Sequence, residues 1–315
     1  MKTALVTGSG GFIGHHLLHY LRAKGYQVQG VDIKRAEFCH CLDETGEVFD
    51  LRKPTGRMPV GEVYHLAADM GGIGYITKER ALITRNNALI DANVLISSVE
   101  SAGKLFFASS ACIYPQYRQL APDALPLKEQ DAFPADPEEG YGLEKLFMEK
   151  MCQYHTEEGK LETRIARFHN VYGPEGTWEG GAEKAPAAIC RKVAMAPDGG
   201  FVEVWGDGKQ TRSFMYIDDC VEGIYRIMQA GYSAPVNLGS TELITINALT
   251  ELVIAISGKH LKIKNVPGPQ GVRGRNSDNN ELIRRLNWEP SIPLKVGMQK
   301  TYEWVLTQVN KRKAA

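Results

Sequence analysis

A glycine-rich turn close to the start of the chain limits the possible folds more than any other feature. Residues 8–14, with the sequence GSGGFIG, separate a short apolar run over residues 3–7 from a helical pattern over residues 12–24. In that pattern the apolar side chains recur at helical spacing and share one stripe, formed by Ile13, Leu17, Leu18 and Leu21. A buried strand, a tight turn and an amphipathic helix in this order indicate the first unit of a parallel α/β sheet.

The same alternation continues through the first half of the chain. Short, nearly continuous apolar runs are typical of strands buried on both faces, and they occupy residues 27–32, 47–49, 62–66, 104–109 and 162–167. Two further helical patterns lie between them, over residues 78–99 and 141–154. Strands that alternate with helices pair in parallel through right-handed crossovers. We therefore predict a Rossmann-like, doubly wound α/β sheet.

The pattern loosens after Asn170, where Gly and Pro cluster. Asp219 and Glu222 have capping-box spacing and predict the start of a helix, and Thr245 is expected to cap another. The remaining elements predicted here are a strand over 202–205 and helices over 186–194, 247–256 and 293–308. We predict two domains, 1–169 and a smaller mixed α/β domain over 170–315, interleaved because strands of both are expected to complete one sheet.

Composition and charge exclude several classes of protein. The 315-residue chain carries 37 Lys and Arg against 37 Asp and Glu, which argues against partners such as nucleic acid or an anionic membrane surface. It has no apolar run of about 18 residues and no signal-peptide pattern, so we expect no membrane span. Six Cys without a C-x-x-C pair favour a reduced, cytoplasmic protein. Cys39-His40-Cys41 is interpreted as a polar loop, and no metal site is predicted.

The glycine turn has the spacing of a dinucleotide site, G-x-x-G-x-x-G. Gly8 permits the tight turn, Gly11 lets the backbone approach a pyrophosphate, and Gly14 lets the helix pack closely on the strand. Asp32 ends the second strand 24 residues after Gly8, where a carboxylate binds a ribose diol and repels a 2′-phosphate. We therefore predict NAD rather than NADP, although two basic residues after Asp32 could neutralise a 2′-phosphate. Asp50 is either an adenine contact or a loop cap.

Tyr141 and Lys145 stand four residues apart, on one face of the third predicted helix. A nearby ammonium and a bound nicotinamide cation both favour the phenolate, so Tyr141 could take a hydroxyl proton while hydride leaves the same carbon. Ser110 follows a predicted strand, at the edge where open α/β sheets place their chemistry. With the glycine turn, these residues predict an oxidoreductase-type site.

On these residues the chain resembles the extended short-chain dehydrogenase/reductase superfamily, which includes nucleotide-sugar epimerases and dehydratases. Four longer stretches are similar to the family of GDP-mannose 3,5-epimerases, namely LAADMGG at 66–72, SSACIYP at 109–115, EKAPAA at 183–188 and GVRGRNSDNN at 271–280. The resemblance covers essentially the whole chain. It implies NAD-dependent conversion of GDP-D-mannose to GDP-L-galactose and GDP-L-gulose, by transient oxidation at carbon 4, inversion at carbons 5 and 3, and re-reduction. By analogy it also implies a homodimer.

The resemblance implies a role for each matching residue. The expected catalytic residues are Tyr141, Lys145, Cys112, Lys184 and Ser110, with Cys112 and Lys184 as the acid/base pair. The cofactor is expected to contact Gly8, Gly10, Gly11, Phe12, Ile13, Gly14, Asp32, Asp50, Leu66, Ala67, Ala68, Tyr141 and Lys145. The substrate is expected to contact Gly71, Ser110, Ala111, Cys112, Asn170, Glu183, Lys184, Ala185, Lys192, Gln210, Arg212 and Arg275.

Some details of the implied site depend on local chemistry. We expect cationic surroundings to favour the thiolate of Cys112. Residues 177–182, which precede Lys184, are less basic than in the family that the chain resembles, because they include Glu179 and Ala182. We therefore expect the proton affinity of Lys184 to depend on these two residues. Trp178 and Trp205 are expected to pack in the core rather than against the nucleotide.

Three other functions stay open. A nucleotide-sugar 4-epimerase uses the same turn, Tyr and Lys but needs no acid/base pair at carbons 3 and 5. A 4,6-dehydratase needs a carboxylic acid beside Ser110, where this sequence has Ala111 and Cys112. A noncatalytic NAD-binding scaffold needs neither Tyr141 nor Lys145, and both are present.

Overall fold

A computed structural model describes residues 1–35, 37–38, 46–71, 75, 78–269 and 271–314, so the Cys39-His40-Cys41 stretch lies outside the described residues. The strands are β1 (Thr3–Thr7), β2 (Gln27–Asp32), β3 (Gly46–Val48), β4 (Glu62–His65), β5 (Lys104–Ser110), β6 (Glu162–Phe168), β7 (Asn170–Tyr172), β8 (Phe201–Trp205), β9 (Thr211–Tyr216), β10 (Val236–Leu238), β11 (Leu243–Thr245), β12 (Lys262–Val266) and β13 (Gly274–Arg275). The α-helices are α1 (Phe12–Ala23), α2 (Arg80–Ser101), α3 (Tyr141–Glu157), α4 (Ala185–Met195), α5 (Ile217–Gln229), α6 (Ile246–Ser257), α7 (Asn280–Leu286) and α8 (Leu294–Ala314).

Seven parallel strands form the main sheet, in the order β10-β6-β5-β4-β1-β2-β3. The chain moves outward from β1 in both directions, so the topological switch point lies between β1 and β4. This arrangement confirms the predicted fold class. All six strands predicted in the first half are present, and each begins and ends within one residue of its predicted bounds. β10 belongs to the second half of the chain yet pairs with β6.

Both faces of the main sheet are covered because apolar side chains alternate along its central strands. On one face Val6 of β1 belongs to a buried cluster with Leu18 of α1 and Ile224 of α5. On the opposite face Leu5 belongs to a second cluster with Leu95 of α2. Each fully buried side chain of this size contributes about 1.5–3 kcal/mol relative to exposure. These layers fix the carboxyl edge of the sheet, where the site lies.

The second half of the chain adds two small sheets and further helices. β9 is central in one sheet, where it pairs with β7, β11 and β13, and β8 pairs with β12 in the other. Helices α4, α6 and α8 pack together and bury Val193, Leu249 and Met298. Those side chains belong to the same cluster as α1, so the two halves share one core.

The predicted capping box at Asp219 is wrong, because α5 begins two residues earlier, at Ile217. The Asp219 carboxylate instead accepts the backbone amides of Ser291 (3.1 Å) and Ile292 (2.8 Å), which fixes the entry to α8. The cap at Thr245 is confirmed, since its hydroxyl accepts the Ala248 amide at 3.0 Å.

Candidate functional site

One cleft of about 1090 Å³ opens at the carboxyl ends of the central strands. The residues predicted to bind cofactor or substrate all line this cleft, with the exceptions of Gly10 and Lys145. Open α/β sheets bind their ligands at this edge, beside the topological switch point. The fold therefore brings together residues as distant in sequence as Gly8 and Arg275.

The glycine turn leads into the first residues of α1, Phe12, Ile13 and Gly14, which line the cleft. Gly8 adopts a positive φ of 74° and donates its amide to Val31 at 2.8 Å, which holds the turn on β2. Helix α1 starts after Gly11 without a side-chain cap and without an acidic residue in its first turn. The first amides of a helix need partners, and an anion supplies them. This end of α1 is thus suited to the pyrophosphate of a dinucleotide.

Gly10 lies behind the turn rather than on the cleft surface. Its amide donates to Asp32 Oδ2 at 2.9 Å, and the Lys34 amide donates to Oδ1 at 3.1 Å. These bonds fix the carboxylate of Asp32 at the end of β2, where it lines the cleft. Gly10 thus helps to place Asp32, the residue suited to a ribose diol, and its own contact with the cofactor stays a prediction.

The close packing of α1 on β1 depends on Gly14. A Cβ atom added there would lie 2.0 Å from the Gly8 carbonyl oxygen and 2.9 Å from Ser9 Cα. Since both neighbours are backbone atoms, the turn itself would have to move.

We therefore expect Gly14→Ala to weaken NAD binding about tenfold or more, the scale of a 1–3 kcal/mol overpacking effect. The Kd for NAD, measured by calorimetry, tests this. Gly231→Ala is the matched control, because an added Cβ at Gly231 has no neighbour within 4 Å. Equal Kd values for both variants would contradict the prediction.

Asp50 lines the cleft beyond β3 and pairs with Arg52 through two contacts of 2.8 Å. The hydrogen bonds from Arg52 lower the pKa of Asp50 to about 2. Asp50 is therefore an ionised loop anchor, and its adenine contact stays a prediction.

Tyr141 is the first residue of α3 and is almost completely buried beside Cys112. Burial raises the pKa of Tyr141, and Lys145 opposes this by favouring the phenolate. The Lys145 Nζ atom lies 5.8 Å from the centre of the Tyr141 ring. It does not line the cleft, because it binds the Asp91 carboxylate at 2.8 Å. The contact of Lys145 with the cofactor stays a prediction.

Ser110 ends β5 and positions the turn that carries Cys112. Its side chain accepts the Cys112 amide at 3.2 Å and caps a short 3₁₀ turn over Ala111–Ile113. Helix α3 approaches this turn closely because residue 142 is Gly, where an added Cβ would lie 2.2 Å from the Cys112 carbonyl oxygen. Cys112 and Tyr141 thereby come to the same wall of the cleft.

The thiol of Cys112 favours its protonated form in this cleft. Burial raises the pKa of the thiol, and the Arg275 guanidinium, 3.5 Å from Sγ, lowers it only in part. The expectation that cationic surroundings favour the thiolate is therefore wrong here, because desolvation is the larger effect.

Lys184 immediately precedes α4 and lies on the cleft. Solvent reaches it through the open cleft, yet the surrounding protein lowers its pKa by desolvation. Glu183 holds this segment, since its carboxylate accepts Arg191 at 2.6 Å and the Gly181 amide at 2.7 Å. Glu179 pairs with Arg312 on the surface. Glu183 thus positions this segment, and its contact with the substrate stays a prediction.

Two guanidinium groups give the cleft an anion-binding region. Arg212 and Arg275 both line it, and burial together with the charge of Arg275 lowers the pKa of Arg212 to about 10. Two cations held this close are stabilised by a phosphate or diphosphate between them. Arg273, by contrast, pairs with Asp207 at 2.9 Å near the surface.

The remaining predicted substrate residues surround this region. Gln210 donates to the Trp205 carbonyl at 3.2 Å, and within the described part of the chain its buried Oε1 atom has no hydrogen-bond partner. Asn170 donates to the Ser213 carbonyl at 3.0 Å. Lys192 lies 5.6 Å from the centre of the Trp205 ring.

The two tryptophans differ in their surroundings. Trp178 is buried in the core, as predicted. Trp205 is 49% exposed and lines the cleft, so its predicted core position is wrong. It lies on β8, where side chains alternate between buried and exposed, and position 205 falls on the exposed side.

Two carboxylates at the site were not predicted from the sequence. Asp91 lies inside an apolar run of α2, residues 88–96. A single acidic residue on the buried face of this helix was the only indication in the sequence that Asp91 has a special role. Glu138 lies in a loop, donates its amide to the Cys112 carbonyl at 3.0 Å and stands 3.8 Å from Arg275. Sequence spacing gives no hint that the Glu138 loop reaches Cys112.

A cluster of His15, His16 and Glu175 links the glycine turn to the neighbouring loop, and these side chains are close enough to share one ion. His15 Nδ1 donates to the Gly11 carbonyl at 2.9 Å, and Nε2 lies 3.0 Å from the Glu175 carboxylate. His16 contacts the Pro174 carbonyl at 3.3 Å. These contacts tie α1 to the loop that follows β7.

Comparisons with known proteins agree with this geometry. The model of the NAD dependent epimerase/dehydratase family matches residues 4–239. GDP-mannose 3,5-epimerase of Arabidopsis thaliana is 45% identical over 98% of this chain and 83% of its own length. GDP-mannose 3,5-epimerase 1 of Oryza sativa subsp. indica is 44% identical over 98% of this chain and 82% of its own.

A solved structure of UDP-glucose 4-epimerase with UDP-glucose from Thermotoga maritima superposes with a TM-score of 0.87. Its sequence is 25% identical, and the match covers 98% of this chain and 100% of that one. Among the described residues, no helix combines the length and the apolar character needed to cross a membrane. Since the family model and the curated relatives each cover most of its length, the chain belongs to the NAD-dependent epimerase/dehydratase family.

Proposed function

We propose that this chain converts GDP-D-mannose to GDP-L-galactose, with GDP-L-gulose as a second product, by NAD-dependent 3,5-epimerisation. The observation that carries this proposal is the presence of Cys112 and Lys184 in one cleft with Tyr141 and two guanidinium groups. A 4-epimerase uses Tyr141 but requires neither the thiol nor the amine at the sugar ring.

The residues around the glycine turn fit NAD. The uncapped amides of α1 suit its pyrophosphate, and Asp32 suits its adenosine ribose. When bound, NAD supplies a reversible hydride acceptor for carbon 4 of the sugar. Tyr141 takes the proton of the 4-hydroxyl and later returns it, while Ser110 hydrogen-bonds the 4-oxygen.

A carbonyl at carbon 4 makes the protons on carbons 3 and 5 acidic, because the resulting anion is delocalised. Inversion then needs one group that removes a proton and another that delivers a proton on the opposite face. Burial disfavours the charged form of both groups, since it raises the pKa of the Cys112 thiol and lowers the pKa of the Lys184 amine. Transfer of a proton from the Cys112 thiol to the Lys184 amine gives a thiolate and an ammonium, which stabilise each other. Either member can therefore act as base while the other acts as acid.

Recognition of the nucleotide is assigned to the second half of the chain. The guanidinium groups of Arg212 and Arg275 suit the diphosphate, and the exposed ring of Trp205 offers a flat face for the base. We propose that residues 1–169 mainly bind NAD and residues 170–315 mainly bind the GDP-sugar. β10, which joins the main sheet, is the point where the two parts interleave.

Product analysis tests the proposed function most simply. The enzyme is incubated separately with GDP-mannose, UDP-glucose, UDP-galactose and dTDP-glucose, and the products are identified by NMR. We expect GDP-L-galactose and GDP-L-gulose from GDP-mannose and no conversion of the other sugars. A product inverted only at carbon 4 would instead support the 4-epimerase alternative.

We also propose a homodimer formed through α2 and α3. Exposed apolar side chains lie at seven-residue intervals on α2, at Leu82, Leu89 and Ile96, and continue on α3 at Leu143 and Phe147. A second copy of the same helix pair would cover this stripe.

A double variant, Leu89→Glu with Ile96→Glu, should therefore sediment as a monomer in analytical ultracentrifugation. Phe201→Glu is the control, since Phe201 is exposed on β8, outside the proposed interface. The homodimer proposal fails if the wild-type protein is monomeric at micromolar concentration.

A cytoplasmic location is proposed on the chemistry of Cys112. Cys112, Cys152, Cys190 and Cys220 are free and buried. A reducing compartment keeps the catalytic thiol reduced.

A further inference from the structure

We propose that Asp91, supported by His65 and Thr7, is a positioning residue that holds the Lys145 ammonium beside Tyr141 during the reaction. The inference rests on the proposed function, in which Tyr141 takes the proton of the sugar 4-hydroxyl. Asp91 does not line the cleft, and its side chain is fully buried.

A continuous chain of hydrogen bonds leads from β1 to Lys145. The Thr7 hydroxyl lies 2.7 Å from His65 Nδ1, and His65 Nε2 lies 2.9 Å from Asp91 Oδ1. Lys145 Nζ donates to Asp91 Oδ2 at 2.8 Å. Because a carboxylate only accepts, His65 Nε2 donates to Asp91 Oδ1, and the Thr7 hydroxyl holds the other ring nitrogen. Each Asp91 oxygen thus accepts one hydrogen bond, Oδ1 from His65 and Oδ2 from Lys145.

The charges around Lys145 identify Asp91 as its counter-ion. Burial opposes ionisation of Asp91, but Lys145 and His65 lower its pKa overall. Glu144 lies 3.7 Å from Lys145 Nζ, yet within the described chain neither of its oxygens forms a hydrogen bond. Burial raises the pKa of Glu144 to about 9. At neutral pH one carboxylate, one ammonium and one neutral acid therefore share this buried space.

This arrangement acts on Tyr141 through Lys145. Four titratable groups face Tyr141. They are Lys145 and Glu144 on α3, Cys112 on the 3₁₀ turn over Ala111–Ile113, and Asp91 on α2. Lys145 favours the phenolate, whereas Cys112, Glu144 and Asp91 oppose it. Asp91 thus keeps the ammonium in place and charged, but it also offsets part of the positive field at Tyr141. Removing its charge should have two effects, one on rate and one on pH dependence.

We expect Asp91→Asn to lower kcat about tenfold, because Lys145 loses its fixed position, and to leave the KM for GDP-mannose within about twofold. The acid limb of the pH profile of kcat should move to higher pH, since the ammonium that favours the Tyr141 phenolate is no longer held beside it. Asp91→Glu keeps the charge and should restore the wild-type acid limb. Glu144→Gln should leave the acid limb in place, because Glu144 is already neutral.

Two controls separate this role from a structural one. Asp219→Asn changes another buried aspartate, which binds backbone amides of the loop before α8, and it should lower the thermal unfolding temperature without moving the pH profile. The Kd for NAD, measured by calorimetry on each variant, should stay within threefold of the wild-type value.

An unchanged acid limb together with an unchanged kcat in Asp91→Asn would overturn the proposal. If that variant does not fold, Thr7→Val carries the test, because it removes the hydroxyl that orients His65. It should lower kcat several-fold at constant KM, and an unchanged kcat would overturn the proposal. Failure of the proposed function has a different signature, since the wild-type protein would then form neither product from GDP-mannose.

Discussion

A Cys112→Ser variant is expected to lose epimerisation at carbons 3 and 5 by a factor of about 10²–10⁴, the usual contribution of a general acid or base. The serine hydroxyl neither gives nor takes a proton as readily as the thiol, because its pKa is far higher. Lys184→Met should have an effect of the same size, since it keeps an apolar stem of similar length but has no amine. Neither residue acts at carbon 4, so mixing either variant with GDP-mannose should still produce the absorbance of NADH.

Stopped-flow absorbance reports oxidation at carbon 4, and product analysis on the same samples reports inversion at carbons 3 and 5. Cys190→Ser is the matched control. Cys190 lies on α4, and its thiol is buried in the hydrophobic core rather than at the cleft. It should retain epimerisation and lose only stability. Full epimerase activity in both Cys112→Ser and Lys184→Met would show that the acid/base assignment is incorrect.

The second large effect is expected from Tyr141→Phe, which should lower turnover about 10²–10⁴-fold and remove the NADH signal as well. The phenol is the group that takes the 4-hydroxyl proton, and no other hydroxyl stands at the start of α3 beside Lys145 among the described residues. Loss of the signal distinguishes this variant from Cys112→Ser, in which oxidation continues.

Tyr64→Phe provides the comparison for Tyr141→Phe. Tyr64 is also fully buried, but its hydroxyl donates to Glu62 at 2.7 Å and does not reach the cleft. This variant should keep wild-type turnover and NAD affinity. A Tyr141→Phe enzyme that still forms NADH would exclude Tyr141 as the base.

Much of the nucleotide half could be predicted from the sequence, because its signals are local. The turn at Gly8 and the strand ending at Asp32 follow from short-range spacing and apolar runs, and both lie where expected. The end of α8 was placed at 308, where the apolar pattern fades, but the helix extends to Ala314. The last turn of α8 is basic, which suits a helix C-terminus. It has no large apolar residues from which a helical pattern could be predicted.

The parts that were missed depend on contacts between distant segments. Asp91 reaches Lys145 across 54 residues, and Arg275 reaches Cys112 across 163. Periodicity within α2 shows only that position 91 lies on the buried face. It does not show which cation contacts Asp91 there. The proton state of Cys112 was mispredicted for a similar reason, since desolvation depends on how completely the fold encloses the thiol.

Incubation of the wild-type enzyme with GDP-mannose in heavy water tests the central claim most directly, because the proton removed at each inverted carbon exchanges with solvent. NMR of the GDP-L-galactose formed should find deuterium at carbons 3 and 5 of the hexose and protium at carbon 4, where the same hydrogen is returned. GDP-L-galactose without deuterium at carbons 3 and 5, or with solvent deuterium at carbon 4, would contradict the account.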